Sequence, residues 1–406
     1  MIPSSVTPDA AQPPTSPESA LAPAGSIPPE SASGGEGGAV APSPKRGRRG
    51  LVWLGVLLLL GMAGGWGWMD FYRFLHQPLA APVLLEIEKG WPLARIAETL
   101  EQRGVVTSAN WFMLLARWDR LHFSLEGIEQ GAGIQAGEYE CALGETPDLV
   151  LARLTTGNQV VHRLVIPEGM TVAEIGARMR SLGWEQVETL LTDSELPKRL
   201  GLEGITLEGW LFPSTYHYRK HDAALDLLVR MVKQSQQVLH EQWHNAAQTE
   251  RAPTAPRGAR AMHLSLAEVL ILASMIEKET GQATERARIS AVFHNRLHKK
   301  MRLQSDPTVI YGLQRAVGGP GYEGVLTRQH LKEPTPYNTY TQFGLPPTPI
   351  CNPGKASIQA ALHPEDVDDL YFVARGDGSH VFAKTLAEHE ANVDQYLHHH
   401  PPPKKR

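Results

Sequence analysis

Cysteine is nearly absent from this chain of 406 residues, and so is an excess of charge of either sign. Two cysteines, Cys141 and Cys351, are too few for a disulfide framework and lack the spacing of a zinc site. Two buried thiols and one bridge both remain open. The formal net charge is only −4, so no broad basic field exists to hold nucleic acid. Metal-ligand patterns are equally scarce. His294 and His298 stand at i, i+4, but no third ligand is evident and the surroundings are basic, which disfavours a cation. The tail "HHHPPPKKR" reads as a solvated end, and no metal or cofactor is expected.

Large apolar side chains are few in residues 1–45, which are mainly Pro, Ala, Ser, Gly and Glu. Such a segment buries too little surface to offset its ordering entropy, so a disordered tail is expected. The opposite holds in 46–72. After "KRGRRG" comes "LVWLGVLLLLGMAGGWGW" (51–68), uncharged and long enough to cross about 30 Å of hydrocarbon. Trp53, Trp66 and Trp68 suit the interfacial belts, and the basic cluster on the N-terminal side predicts a cytoplasmic tail and an exported remainder. A cleaved signal peptide fits less well, given the long tail in front and only the weak site "PLAAP" behind.

Two stretches of the exported part match each other: "IEKGWPLARIAETLEQRG" (87–104) and "IPEGMTVAEIGARMRSLG" (166–183). A partial copy is "GETPDLVLARLTTG" (144–157). Each predicts a Gly-assisted turn, a short amphipathic helix and a closing Gly. Repeated βα units of this size resemble LysM-type wall-binding modules, and ligand-free βα scaffolding is the plainer alternative. We divide the chain into a LysM-like part (83–160), a first part of the catalytic region with the second βα repeat (161–250), a Pro-rich linker (251–262) and a catalytic core (263–400). "GWLFPSTYHY" (209–218) reads as an edge strand or ordered loop, and 222–245 as helix.

Ser265-x-x-Glu268 is a capping box before the run "LAEVLILASMIEKETG" (266–281), with Gly281 as a candidate C-cap. Residues 284–300 carry Ile289, Val292, Phe293 and Leu297 on one helical face. "LYFVARGDGSHVFAKT" (370–385) is a hairpin pattern, and Thr385-x-x-Glu388 opens a last helix. Helices and hairpins without regular βαβ alternation predict an α+β class.

The long apolar run ends in Glu277-Lys278-Glu279. On a helical wheel Ala273 and Ser274 lie below Glu277, leaving a small-residue strip beside a carboxyl with apolar neighbours. Burial disfavours the charged form of such a group. A carboxylic acid that keeps its proton can donate it to a glycosidic oxygen. The plainer reading pairs Glu277 and Glu279 with Lys278, Arg286 or Arg288 at a solvated helix end.

The segments "IPEGMT" (166–171), "EGWLFPSTY" (208–216), "LASMIEKET" (272–280), "RLQSDPTVIYGL" (302–313), "PTPYNTY" (334–340), "GLPPTPICNPG" (344–354) and "LYFVARGDGSHVFAKTLAEHE" (370–390) resemble the YceG-like endolytic murein transglycosylases. The resemblance implies a single catalytic glutamate, falling on Glu277. It implies cleavage of the MurNAc-β-1,4-GlcNAc bond of nascent glycan strands with a 1,6-anhydro end. Peptidoglycan glycan strands are the implied substrate, and wall-synthesis (penicillin-binding) proteins at the inner membrane the implied partners. Gln304, Tyr337, Asn338 and Tyr340 offer groups suited to sugar hydroxyls and N-acetyl carbonyls. Tyr337 and Trp210 are candidates to stack on sugar faces or to pack in a core. Glu208 either supports the site or caps a turn. Asp306 is the second carboxylate a muramidase-type hydrolase would need, or else an Asx-turn before Pro307. A non-catalytic wall-binding scaffold is the third reading. The chain departs from the family pattern at Ser214, where Asp is usual, and at Thr348, where Gly is usual.

Overall fold

The computed structural model describes residues 47–125, 133–202, 206–250, 264–317 and 325–399. The expected tail 1–45, the linker 251–262 and the end of the chain lie outside the described residues. Two compact units divide between Gly67 and Trp68. Helix α1 (Gly47–Leu75) begins in the first. Its stretch Leu51–Leu75 is long and apolar enough to cross a membrane, and the side chains Leu51–Leu60 are exposed.

The second unit mixes helices with three small antiparallel sheets. In chain order the elements are β1 (Val83–Ile87), α2 (Leu93–Gln102), α3 (Ala109–Leu125), β2 (Gly137–Cys141), α4 (Pro147–Thr156), β3 (His162–Val165), α5 (Val172–Ser181), α6 (Val187–Leu191), α7 (Leu196–Arg199), β4 (Thr215–Tyr218), α8 (Ala224–Glu250), α9 (Leu266–Glu279), α10 (Arg286–His298), α11 (Asp306–Ala316), α12 (Lys355–Leu362), β5 (Tyr371–Ala374), β6 (His380–Ala383) and α13 (Leu386–His399). Strands pair as β1–β2, β3–β4 and β5–β6. Each is an edge on one side, so helices rather than further strands cover the apolar faces.

The repeats fold alike because they present the same signals. Gly90 and Gly169 take positive φ in the turns before α2 and α5. Gly104, Gly183 and Gly157 take the left-handed conformation after α2, α5 and α4. Thr171 and Glu174 complete a capping box at α5, each side chain reaching the other's backbone N–H. The register Leu85↔Tyr139 brings the β1–β2 core side together. There Leu85, Ile87, Ile96, Leu100, Phe112, Tyr139 and Leu154 form one core. A second, larger core holds α5, β4, α8, α9, α10 and α12. Cys141 lies in the first core, and Cys351 is buried beside the second; both are free thiols.

Helix α9 explains why its sequence is apolar all round. It packs against α8, α10, α11 and α12, and every residue from Val269 to Ile276 is buried. The capping box at Ser265 and Glu268 starts it. Its end differs from expectation. Thr280 is the C-cap, in extended conformation, and Gly281 is not left-handed. Thr280 Oγ1 instead accepts the Gln282 N–H at 2.9 Å, so a side chain turns the chain where a glycine was expected.

Candidate active site

Two carboxylates leave the end of α9 on opposite sides, and their surroundings differ. Glu277 is held in place by protein. The Gly354 N–H donates to its Oε2 at 2.9 Å. Arg286 Nη2 of α10 stands 3.7 Å from Oε1 and 4.0 Å from Glu168 Oε2. Gly169, with φ +79°, lets the "IPEG" turn approach so closely that a methyl there would sit 3.7 Å from the Glu277 Cγ. The small-residue strip is not open. Ser274 Oγ donates to the Ile271 carbonyl at 2.7 Å and accepts the Ile350 N–H at 3.0 Å. The Cys351 thiol donates to the Ser274 carbonyl. The wheel left space over Ala273 and Ser274; the segment 350–352 fills it. The ion pairing with Arg286, the plainer reading of the sequence, is present.

Glu279 faces the "RLQSDPT" segment, and most of the chemistry-bearing residues gather there. Ser305 Oγ donates to its Oε1. Burial pushes its carboxyl up to about 7, and the charge of Asp306 adds to that. The Ser305 hydroxyl and, from α10, Arg296 pull the other way. The negative end of the α9 dipole also disfavours an anion at this place.

The loop around it is tightly built. Gln304 takes φ +53°, strained for a residue with a side chain. It is held there by its N–H to the Thr339 carbonyl at 3.1 Å and by Arg296 Nη1 donating to its Oε1 at 3.2 Å. Ser305 N–H donates to Thr339 Oγ1 at 2.9 Å. Asp306 opens α11, and the Tyr340 hydroxyl donates to its Oδ1 at 2.6 Å. Gln304, Asp306 and Tyr340 are thus brought together beside Glu279.

The other sequence candidates are placed in the interior. Asn338 is fully buried; its amide donates to the carbonyls of His330, Leu331 and Glu333, which shapes the loop that carries Tyr340. Tyr337 is 9% exposed, meets Tyr311 edge-on at 5.1 Å, and pairs its hydroxyl with Thr348 at 2.8 Å. Trp210 is 8% exposed in the large core. Both rings take the packing alternative, buried among protein groups. Glu208 is a buried junction. It accepts from Val172 N–H, Tyr311 hydroxyl and the Asn352 amide, at 3.0, 3.0 and 3.3 Å. Burial raises its carboxyl to about 8. It caps the start of α5, the second of its two readings.

Sequence reasoning missed Ser305, Arg296 and Thr339, and it ranked Glu279 below Glu277. The signal available was "QSDPT": a hydroxyl and a carboxylate beside a helix start. Thr348, a departure from the family pattern, supplies the hydroxyl that satisfies Tyr337. Ser214 contributes through its backbone, accepting from Ile166 N–H at 2.9 Å. His294 donates its Nε2–H to the Ala361 carbonyl at 2.9 Å, within the protein interior.

Comparison with known proteins gives consistent matches. The model of the YceG-like family matches residues 85–395. An endolytic murein transglycosylase of Bacillus subtilis is 31% identical over 334 residues, covering 78% of this chain and 85% of that protein. One of Streptococcus pneumoniae serotype 2 is 26% identical over 379 residues, covering 84% of this chain and 64% of that protein. A crystal structure of a yceG-like protein from Listeria monocytogenes is 30% identical, covers 76% of this chain and 98% of that one, and has a TM-score of 0.48.

Proposed function

Since the chain belongs to the YceG-like family, we propose that it is an endolytic peptidoglycan lytic transglycosylase. Its substrate is the MurNAc-β-1,4-GlcNAc bond of nascent glycan strands. The observation that carries the mechanism is Glu279: a carboxyl raised to about 7, bonded by Ser305, beside Gln304, Asp306 and Tyr340. We assign the acid–base role to Glu279 and an anchoring role to Glu277, whose oxygens are already engaged by Gly354 and Arg286.

Near neutral pH a large share of Glu279 is protonated. It gives that proton to the leaving GlcNAc oxygen as the C1–O bond breaks. The resulting carboxylate, supported by the Ser305 hydroxyl and Arg296, then takes the proton of the muramyl 6-hydroxyl as that oxygen bonds to C1. A 1,6-anhydro ring closes and the carboxyl is regenerated. The nucleophile is part of the substrate, so no water has to be activated and one residue serves both steps.

The neighbouring Asp306 favours a second reading, a hydrolase in which two carboxylates share the work. Mass spectrometry of fragments released from peptidoglycan separates the two. Anhydro ends, lacking one water, support the transglycosylase; reducing ends overturn it. Loss of release with Glu279→Gln, and its retention with Glu277→Gln, supports the assignment of roles; the reverse pattern overturns it.

The same reading extends to the rest of the chain. The unit built on β1, α2, β2 and α4, with its own core, is a LysM-like wall-binding part. Helix α1 is a single-pass anchor in the inner membrane. Its N-terminal basic cluster is cytoplasmic and the catalytic part lies outside, near penicillin-binding partners that make nascent strands.

A further inference from the structure

A cleft of about 440 Å³ opens beside the acid–base site, lined by Arg302, Arg328, Leu331, Lys332, Tyr340 and Thr341. Three of these six carry positive charge and none carries negative. Arg302 stands two residues before the strained Gln304, its guanidinium 4.7 Å over the Phe343 ring. Lys332 ends a short 3-10 turn, His330–Lys332, and Arg328 lies just ahead of it. The buried Asn338 amide fixes this turn through the His330 and Leu331 carbonyls. Among the described residues none of the three cations forms an ion pair. Like charges that converge on one cleft repel each other, and an anion between them relieves the repulsion.

The cleft is tied to the reacting groups by a short chain of contacts. Tyr340 lines it and donates its hydroxyl to Asp306. Asp306 follows Ser305, which donates to Glu279. An anion seated here therefore belongs to the part of the substrate next to the scissile bond. In peptidoglycan the muramyl sugar, whose C1 reacts, carries a peptide stem ending in carboxylates. Guanidinium forks match that geometry, and Leu331 supplies the one aliphatic side chain of the lining.

Resting on the transglycosylase reading, we propose that this cleft binds a carboxylate of the peptide stem, and that peptide-bearing glycan is preferred over stripped glycan. Arg328 and Lys332 act in selecting substrate and take no part in the bond-breaking step.

The test uses the full chain in detergent with soluble glycan strands that lack the lipid diphosphate, either peptide-bearing or stripped by amidase, and with lipid-linked strands as a third arm. The unmutated protein is expected to show a kcat/KM at least fivefold higher on peptide-bearing strands. The double variant Arg328→Gln, Lys332→Gln is expected to lose that preference while cleaving stripped strands at the unmutated rate. Both residues are exposed, so folding is not at stake. Raising the salt is expected to shrink the preference, since exposed charges are screened over about 8–10 Å. Equal kcat/KM on the two substrates overturns the proposal, as does a preference that survives in the double variant. A defect confined to lipid-linked strands assigns the cleft to the diphosphate and also overturns it. Cleavage of neither substrate by the unmutated protein overturns the transglycosylase reading and this proposal with it.

Discussion

Replacing Glu279 by Gln removes a charge that the fold resists and a proton that the reaction needs, so the two consequences have opposite signs. The carboxyl rises from an ordinary 4.5 to about 7, chiefly through burial. At about 1.4 kcal/mol for each tenfold change in proton affinity, that displacement is worth roughly 3 kcal/mol. Below pH 4.5 the carboxyl is protonated in both folded and unfolded chains, and the full stability is present. Between 4.5 and 7 the folded chain keeps its proton while the unfolded chain releases it, so stability falls as pH rises. Above 7 both are ionised and the deficit is complete. Gln has nearly the same shape and no charge at any pH. Urea unfolding of the full chain in detergent is therefore expected to find the variant more stable at pH 8, by up to roughly 3 kcal/mol, and little different at pH 4. Release of anhydro fragments is expected to fall by about 10²–10⁴, the range for losing a general acid–base group. In the unmutated protein the rate should decline as pH rises through about 7, where the first step loses its proton donor. A variant no more stable than the unmutated chain at pH 8 would refute the reasoning, because it would mean the carboxylate is not strained in the fold.

Glu277→Gln leaves the half-buried Arg286 facing only Glu168 at 4.0 Å; it is expected to cost roughly 1–3 kcal/mol in urea unfolding while leaving the pH dependence of cleavage in place. Gly209→Ala is expected to lower the melting temperature, with a cost of about 2 kcal/mol or more. Gly209 has φ +86°, and an added methyl would lie 2.6 Å from the Pro349 ring, which cannot rotate away. Thr348→Gly strips the Tyr337 hydroxyl of its partner and should cost about 1–2 kcal/mol in thermal or urea unfolding, with cleavage retained.

Local signals were legible in the sequence wherever they depended on neighbours a few residues away. The capping boxes at Ser265 and Thr385, the β5–β6 hairpin and the glycines that close α2, α4 and α5 are of this kind. Gly281 misled because Thr280 reached the same end through its side chain. The wheel correctly buried Val269–Ile276 but left space over Ala273 and Ser274. A wheel knows only one helix, and residues 350–352 arrive from more than seventy positions away. Trp210, Tyr337, Asn338 and Glu208 have the side chains of a sugar site, yet their partners are protein groups. Donor and acceptor chemistry is the same whether it meets a sugar or a backbone carbonyl.

By itself the sequence determined the apolar N-terminal helix, the α+β character, the two βα repeats and the two glutamates at the end of a buried helix. Each follows from periodicity or capping, which act along the chain. What surrounds each glutamate was decided only by the tertiary structure. Glu277 meets Gly354 and Arg286, whereas Glu279 meets Ser305 and the field of Asp306. Two carboxylates two residues apart leave a helix about 200° from each other, so their environments come from different, distant segments. Desolvation and charge act through space, and only the packed chain specifies that space.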